Sequence, residues 1–190
     1  SWCNIDFENS RSNPLFYKGN LYFNGELITK LVIPSTVTDI KKCAFIKFSN
    51  QQSPVNEIVI PDSVISIGEN AFQNYGLLES IRIPYSVKNI DHKAFSGCNS
   101  LSKAIIEGEP EYIDYDIFCG CENLNKIIVC SENMKQRFIE DIIIPNQSEC
   151  SIIVDTSLNK SNDIRLGSEY LSYAAKDTFN YNKKSDDIEI

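Results

Sequence analysis

Histidine is the side chain most often used for acid–base catalysis, and this chain has a single one, His92. A Ser-His-Asp or Cys-His mechanism needs an imidazole that a third group holds against a nucleophile. The sequence around His92 supplies no such arrangement. His92 stands between Ile90 and Phe95, where the internal repeat described below places it outside the coil. We therefore predict that His92 is a solvated turn residue and not a catalytic base.

The cysteines suggest a metal or redox pair at Cys119-Gly120-Cys121. Zinc sites, however, usually show two cysteine pairs, each spaced by about two to four residues, and a second pair is missing. Cys121 also lies one repeat after Cys98, so a ladder of buried thiols explains both residues. Because stacked coils stand ~4.8 Å apart, a Cys98–Cys121 disulfide is the alternative, and we favour reduced core thiols. Seven cysteines cannot all pair within one chain, so the count leaves the compartment open.

Other motifs of catalysis are missing or have simpler explanations. Acidic pairs such as Asp186-Asp187, and Glu109 with Glu111, are predicted to be solvated surface, because nothing buries them and separates their pKa values. The sequence has neither a GxxxxGK[ST] loop nor a GxGxxG turn after a strand, so nucleotide binding has no motif to rest on. We predict no cofactor, no metal and no enzyme activity.

The charge balance excludes further classes of partner. The chain has 18 Lys and Arg against 26 Asp and Glu, a net charge of -8 and a pI near 4.7. Such a chain is unsuited to the phosphates of nucleic acids or to an anionic membrane surface. Apolar runs stay far below the ~18 residues that span a bilayer, so we predict no membrane insertion within this chain. The chain opens at Ser1 without an initiator methionine, which leaves open whether it is a fragment of a longer solenoid.

The elements that position these residues repeat along the chain. The unit Leu78-x-x-Ile81-x-Ile83-Pro84-x-Ser86-Val87-x-x-Ile90-x-x-x-Ala94-Phe95-x-x-Cys98-x-x-Leu101 recurs at a spacing of about 23 residues. The first clear copy begins at Leu31 and is displaced by an insertion that we place between Lys47 and Val55. The copy around Ile113 and Phe118 is altered, with Glu107 in place of the turn proline.

Each repeat is predicted to form one coil of a solenoid. Ile58 and Ile60 place two side chains on one face of a short strand, and Pro61 ends that strand because it has no N–H to donate. The other apolar positions fill the inside of the coil: Val64, Ile67, Ala71 and Phe72. One coil cannot bury its own apolar face, so the coils must stack into one array.

The pattern Ile-x-Ile-Pro-x-Ser-Val-x-x-Ile-Gly-x-x-Ala-Phe, from Ile58 to Phe72, resembles the BspA-like leucine-rich repeat. The likeness extends over Leu31 to Val129. Upstream, Asn13-Pro14-Leu15 and Leu21 to Leu27 resemble an inter-repeat segment of such proteins, and downstream Cys130 to Phe138 is similar to a terminal coil. The resemblance implies a right-handed leucine-rich-repeat solenoid with a parallel sheet of short strands.

We predict three segments. Residues 1–30 form an N-terminal capping or inter-repeat segment, residues 31–145 form the solenoid, and residues 146–190 form an irregular C-terminal segment. The last segment is polar, with one predicted strand at Ser151–Val154 and one helical candidate at Ser168–Phe179. It is either a cap that covers the end of the solenoid or a flexible tail.

The outward face of the strands is the candidate binding surface. The alternation leaves one outward column that is mostly apolar: Val32, Val59, Arg82, Ile105 and Ile128. A second column lies two residues earlier in each strand: Lys30, Glu57, Ser80, Lys103 and Lys126. An outward aliphatic stripe with an arginine is the composition favoured at interface centres, and Tyr85 is a candidate to join it. Strand propensity alone, or cover by a loop or by the tail, would also explain the stripe.

The resemblance implies a function as well as a fold. BspA-like proteins are typically exported or displayed on cells of bacteria and some parasitic protists, where they look like adhesins. We therefore hypothesise a non-catalytic, secreted or cell-surface module that binds a protein of a host or of another cell through the strand face. The alternative is a structural spacer or a self-association module without its own ligand.

Overall fold

The chain forms a parallel β-solenoid of about five turns with a spacing of about 23 residues, as the repeat predicts. The structure is a computed structural model that describes residues 5, 7–16, 20–47, 53–145, 148–158 and 188–189. Its strands, in chain order, are β1 (Leu21–Phe23), β2 (Glu26–Leu27), β3 (Lys30–Val32), β4 (Asp39–Ile40), β5 (Glu57–Val59), β6 (Ser66–Ile67), β7 (Ser80–Ile83), β8 (Asn89–Ile90), β9 (Lys103–Ile106), β10 (Tyr112–Ile113), β11 (Lys126–Val129), β12 (Ser151–Val154) and β13 (Ile188–Glu189).

The strands stack into two parallel ladders along the solenoid. On one side β3 pairs with β5, and β7, β9, β11 and β12 pair in that order. The two-residue strands β4, β6, β8 and β10 form the second ladder. We call the side of the solenoid that carries this ladder the flank. The predicted strand at Ser151–Val154 is confirmed as β12, in register with β11 from Ser151 opposite Lys126 to Val154 opposite Val129.

Alternation decides which side chains enter the core. In β9 and β11 the second and fourth residues are buried and the first and third are only half-buried. Because side chains alternate between the two faces of a strand, one set of residues fills the coil and the other faces outward. The strand face is therefore the outer surface of the first ladder.

Phenylalanine rings stack along the axis of the core, one from each turn. The ring centroids are 5.6 Å apart for Phe45 and Phe72, 5.5 Å for Phe72 and Phe95, and 6.0 Å for Phe95 and Phe118. Phe138 continues the row at 6.5 Å from Phe118. Each coil thus covers the aromatic ring of the coil before it, which explains why the coils must fold as one array.

At the N-terminal end, a β-hairpin and two short 3-10 helices (Ser10–Ser12 and Pro14–Phe16) precede the coils. Strands β1 and β2 are joined by Asn24 and Gly25, both with positive φ (52° and 80°), as a tight two-residue hairpin turn requires. Asn13 is fully buried, and its amide donates to the carbonyl oxygens of Cys43 and Ala44. The backbone of β13 pairs in parallel with β1, with Ile188 opposite Leu21.

At the C-terminal end, an α-helix follows β11 where the repeat would continue with a turn and a second short strand. Helix α1 (Glu132–Glu140) begins after Ser131, whose hydroxyl accepts the N–H of Met134 at 3.2 Å. Met134 and Phe138, four residues apart, bury one face of the helix against the last coil. A 3-10 helix at Thr156–Leu158 follows β12, and the helix predicted at Ser168–Phe179 lies outside the described residues.

Candidate protein-binding face

The outward aliphatic residues of the first ladder stand in register. Val32 lies opposite Val59, and Arg82 heads a continuous row through Ile105 and Ile128. The row extends one rung further than the sequence analysis placed it, because β12 brings Ile153 opposite Ile128. We call this set the apolar stripe: Val32, Val59, Arg82, Ile105, Ile128 and Ile153. Val32 and Ile153, at the two ends, are exposed and the four between them are half-buried.

Ile153 was missed because the repeat register is lost after Phe138. Ile153 could have been predicted from the alternation in Ser151–Val154 if that strand had been placed next to β11 in the ladder. The second outward column, which we call the polar column, is also extended by one residue. It consists of Lys30, Glu57, Ser80, Lys103, Lys126 and Ser151.

Arg82 is held by two carboxylates. Its Nε and Nη2 donate to Oε1 and Oε2 of Glu107 at 2.8 and 2.6 Å, and Nη2 also donates to Oδ1 of Asp62 at 2.9 Å. The Glu107 side chain is only 8% exposed. This contact explains the departure of the fourth repeat from the pattern, because the residue that replaces the turn proline binds the arginine of the preceding rung. The arginine is thus pre-ordered on the face and its charge is compensated.

Tyr85 lies beside the stripe and not in it. It is exposed, in the turn that follows β7. Its backbone lies against Gly108 of the next coil, where an added Cβ would come within 2.6 Å of the Tyr85 carbonyl oxygen. Tyr85 is thus fixed through its backbone against the next coil, and its side chain is exposed.

The structure brings two carboxylates to His92, which the sequence analysis did not find. Nδ1 of His92 lies 3.0 Å from Oδ1 of Asp116 and 3.7 Å from Oδ1 of Asp114. The imidazole is 39% exposed, in a turn as predicted, whereas the Asp116 side chain is only 7% exposed. Tyr112 donates its hydroxyl to Oδ2 of Asp114 at 2.8 Å. Burial raises the pKa of Asp114, but this hydrogen bond and those from Asp116 outweigh it, so the pKa lies below its usual value.

A backbone hydrogen bond that is missing from the ladder between two coils explains the position of the Asp116 carboxylate. In the two preceding turns, Cys43 and Asn70 donate their N–H groups to the carbonyl oxygens of Glu69 and His92, one coil further on. The equivalent N–H, of Lys93, donates instead to Oδ1 of Asp116 at 3.1 Å. Its usual acceptor, the carbonyl of Tyr115, is taken by the N–H of Ile143 at 2.7 Å. The Asp116 carboxylate therefore replaces a backbone acceptor in the altered fourth coil.

The cluster has the donor types of a metal site. The imidazole nitrogen and one oxygen from each of Asp114 and Asp116 lie within 4.8 Å of one another, the one such convergence found in the described part of the chain. Imidazole with two carboxylates suits a divalent transition metal. The hydrogen bonds given above account for the arrangement without an ion, so we assign these residues a structural role.

The cysteines Cys98 and Cys121 are buried free thiols, as the sequence analysis favoured. Cys98 donates its thiol to the carbonyl of Phe72 at 3.4 Å, and Cys121 donates to that of Phe95 at 3.2 Å. Burial and the neighbouring Cys121 thiol raise the pKa of Cys98 well above its ordinary value. Both thiols are therefore core groups that donate to a carbonyl of the preceding coil, and the raised pKa makes Cys98 a poor nucleophile.

The repeat identifies the family. A model of the BspA type leucine rich repeat region matches residues 18–141 in six copies, and the chain belongs to this family. Leucine-rich-repeat domains generally bind proteins and are typically non-catalytic. The fold therefore places the chain among protein-interaction modules. A search of curated proteins found no match.

Solved structures similar to this chain are leucine-rich-repeat proteins of bacteria. One, from Bacteroides ovatus, is 21% identical over 79% of this chain and 44% of its own, with a TM-score of 0.47. One from Eubacterium ventriosum is 24% identical over 62% of this chain and 30% of its own, with a TM-score of 0.45. A leucine rich cell surface protein from Faecalibacterium prausnitzii is 21% identical over 82% of this chain and 38% of its own, with a TM-score of 0.39. The chain thus spans less than half the length of each.

Among the described residues, no helix has the length and apolar character needed to cross a bilayer.

Proposed function

We propose that this chain is a non-catalytic protein-binding module of a secreted or cell-surface protein, and that it binds its ligand through the apolar stripe. The observation that carries the proposal is the row of three isoleucines, Ile105, Ile128 and Ile153, in register on the outer face of the ladder. Contiguous outward aliphatic groups on a rigid sheet are typical of the centre of a binding site. The secreted or surface location rests on the resemblance to BspA-type proteins.

Rigidity supports the same conclusion. Every strand that carries a stripe residue from Arg82 to Ile153 is hydrogen-bonded to its neighbour, and the side chains beneath are packed in the core. A face whose backbone is fixed before binding loses little conformational entropy when a ligand docks. A host or other-cell protein with a complementary aliphatic surface is therefore the proposed ligand.

The test is binding of the purified chain to immobilised extracellular-matrix and cell-surface proteins. The variant Ile105→Thr/Ile128→Thr removes aliphatic surface from the stripe and keeps β-branched side chains in the strands. The control variant Ile65→Thr/Ile143→Thr makes the same changes at two exposed positions of the flank, next to β6 and Tyr115. We expect saturable binding that the first variant loses and the control retains, with both variants folded by circular dichroism.

The opposite results distinguish the alternative. If neither variant changes the binding, the stripe is not the site. A concentration-dependent dimer that the stripe variant abolishes, with no binding to any immobilised protein, would replace the proposal with self-association.

A further inference from the structure

Charges on the strand face are compensated in its N-terminal half. In the polar column, Lys30 pairs with Glu57 at 2.8 Å. Arg82, in the stripe, pairs with both Glu107 and Asp62. The cations that face outward on β3, β5 and β7 are thus each paired with a carboxylate.

The C-terminal half of the polar column is different. Lys103 and Lys126 lie directly opposite each other on β9 and β11, about 4.8 Å apart at the backbone. Neither lysine has an ion-pair partner among the described residues. Their rung neighbours, Ser80 and Ser151, are uncharged. Like charges in opposed positions destabilise a sheet, so this pair is a local cost to folding.

The composition makes the pair more notable. Acidic residues outnumber basic ones by 26 to 18, and yet two lysines lie opposite each other on neighbouring strands with no ion-paired carboxylate among the described residues. Ile105 and Ile128 lie two residues further along the same strands and on the same face, about 7 Å away. A row of cations therefore runs beside a row of aliphatic side chains.

We propose that the C-terminal half of the strand face binds an acidic protein segment whose aliphatic side chains dock on Ile105, Ile128 and Ile153 while its carboxylates pair with Lys103 and Lys126. The inference rests on the proposed function and names the chemistry of its ligand. Charge complementarity selects the carboxylates, and the isoleucines select a protein over a nucleic acid or a sulfated glycan, which have no aliphatic side chains to bury. The carboxylates would also remove the repulsion between the two lysines.

The probes are three short synthetic peptides of equal length. The first combines glutamate and leucine at helical spacing, the second replaces each glutamate with lysine, and the third consists of glutamate with alanine in place of leucine. We expect the glutamate–leucine peptide to bind most tightly by fluorescence anisotropy, although the net charge of -8 would favour the basic peptide at long range. Its affinity should fall as salt is added.

The variant Lys103→Gln/Lys126→Gln tests the residues. We expect its affinity for the glutamate–leucine peptide to fall by about tenfold or more, as for loss of charge pairs at an interface. The control variant Lys41→Gln/Lys88→Gln removes the same charge from two exposed lysines outside the strand face, and its affinity should change less than twofold. Thermal unfolding of both variants confirms that they are folded.

Three outcomes would overturn the inference. They are tighter binding of the basic peptide, equal binding of the glutamate–alanine peptide, and unchanged affinity in Lys103→Gln/Lys126→Gln. If protein binding is lost in Ile105→Thr/Ile128→Thr but does not respond to the lysine variant or to salt, the inference fails and the proposed function stands. If the isoleucine variant also has no effect, both fail.

Discussion

Arg82 and Glu107 form a two-point ion pair between adjacent coils, with Nε and Nη2 of the arginine 2.8 and 2.6 Å from the two carboxylate oxygens. Glu107 stands where the earlier repeats have the turn prolines Pro34, Pro61 and Pro84. Its N–H donates to the carbonyl of Ile83 at 3.0 Å, a ladder bond that proline could not make. In this coil a backbone hydrogen bond from Glu107 therefore replaces the proline at the end of the strand. The carboxylate of Glu107 also fixes a charged residue, Arg82, in the apolar stripe.

This pair predicts strong coupling between the two residues. Arg82→Gln and Glu107→Gln should each lower the free energy of unfolding by about 1–3 kcal/mol, because each leaves a partly buried charge without its main partner. The double variant should lose less than the sum of the two single changes. Urea unfolding of the four proteins measures the coupling energy. Additive losses would show that the two side chains do not depend on each other.

The second prediction concerns Asp116. Asp116→Ala should destabilise the chain by about 1–3 kcal/mol, because the partly buried N–H of Lys93 loses its acceptor. His92→Ala should cost less, since the imidazole is more exposed and the backbone hydrogen bond survives. Hydrogen exchange at the Lys93 amide checks the cause directly, with faster exchange expected in Asp116→Ala and near-normal exchange in His92→Ala. A larger loss in His92→Ala would contradict the structural role assigned to the carboxylate.

Tyr75 provides a prediction of the opposite sign. The residue is fully buried, and its hydroxyl has no hydrogen-bond partner among the described residues. Burial raises the pKa of this hydroxyl far above its usual value. Tyr75→Phe removes a hydroxyl that is desolvated in the folded chain and gains no hydrogen bond there. We therefore expect the free energy of unfolding to be unchanged or to rise by up to about 1–2 kcal/mol. The control Tyr85→Phe alters an exposed hydroxyl, and its melting temperature should not move.

The fold could be predicted from the sequence because its signal is repeated. The apolar positions recur in each coil, so an error at one position is corrected by its equivalents, as Phe45, Phe72 and Phe95 illustrate. The strand at Ser151–Val154 was likewise predictable from local alternation. The Asn24-Gly25 turn follows from a local rule, since both residues tolerate positive φ, and a hairpin could have been predicted there.

The outward residues of the stripe follow from the same repeat, but the side-chain pairs of Arg82 and His92 depend on features that do not repeat. Glu107 lies two residues beyond Ile105, the residue opposite Arg82, so the register alone places it diagonally across from the arginine. The Asp116–His92 contact could not be found in this way, because it depends on how one altered turn releases a backbone donor. A residue that departs from the repeat therefore predicts a side-chain pair only where the strand register is kept, as at Glu107. It predicts none where the register is lost, as at Asp116.

The last prediction is a pH dependence from Lys47. Its side chain is buried, and burial lowers its pKa from 10.5 to about 8. Between these two values the unfolded chain holds a proton on Lys47 that the folded chain has released. The free energy of unfolding therefore rises with pH over this window, by on the order of 2–3 kcal/mol, and this contribution is lost as the pH falls back to about 8.

Lys47→Met isolates this contribution from the tyrosines and cysteines that titrate in the same range. Subtracting its unfolding free energies from those of the unchanged chain, from pH 7.5 to 10.5 in urea, should give a difference that rises with pH as the protonated lysine becomes rarer. Lys41→Met removes the same charge from an exposed position and corrects for the change in net charge. A flat difference curve, once corrected in this way, would mean that Lys47 is protonated in the folded chain at an ordinary pKa and is reached by water.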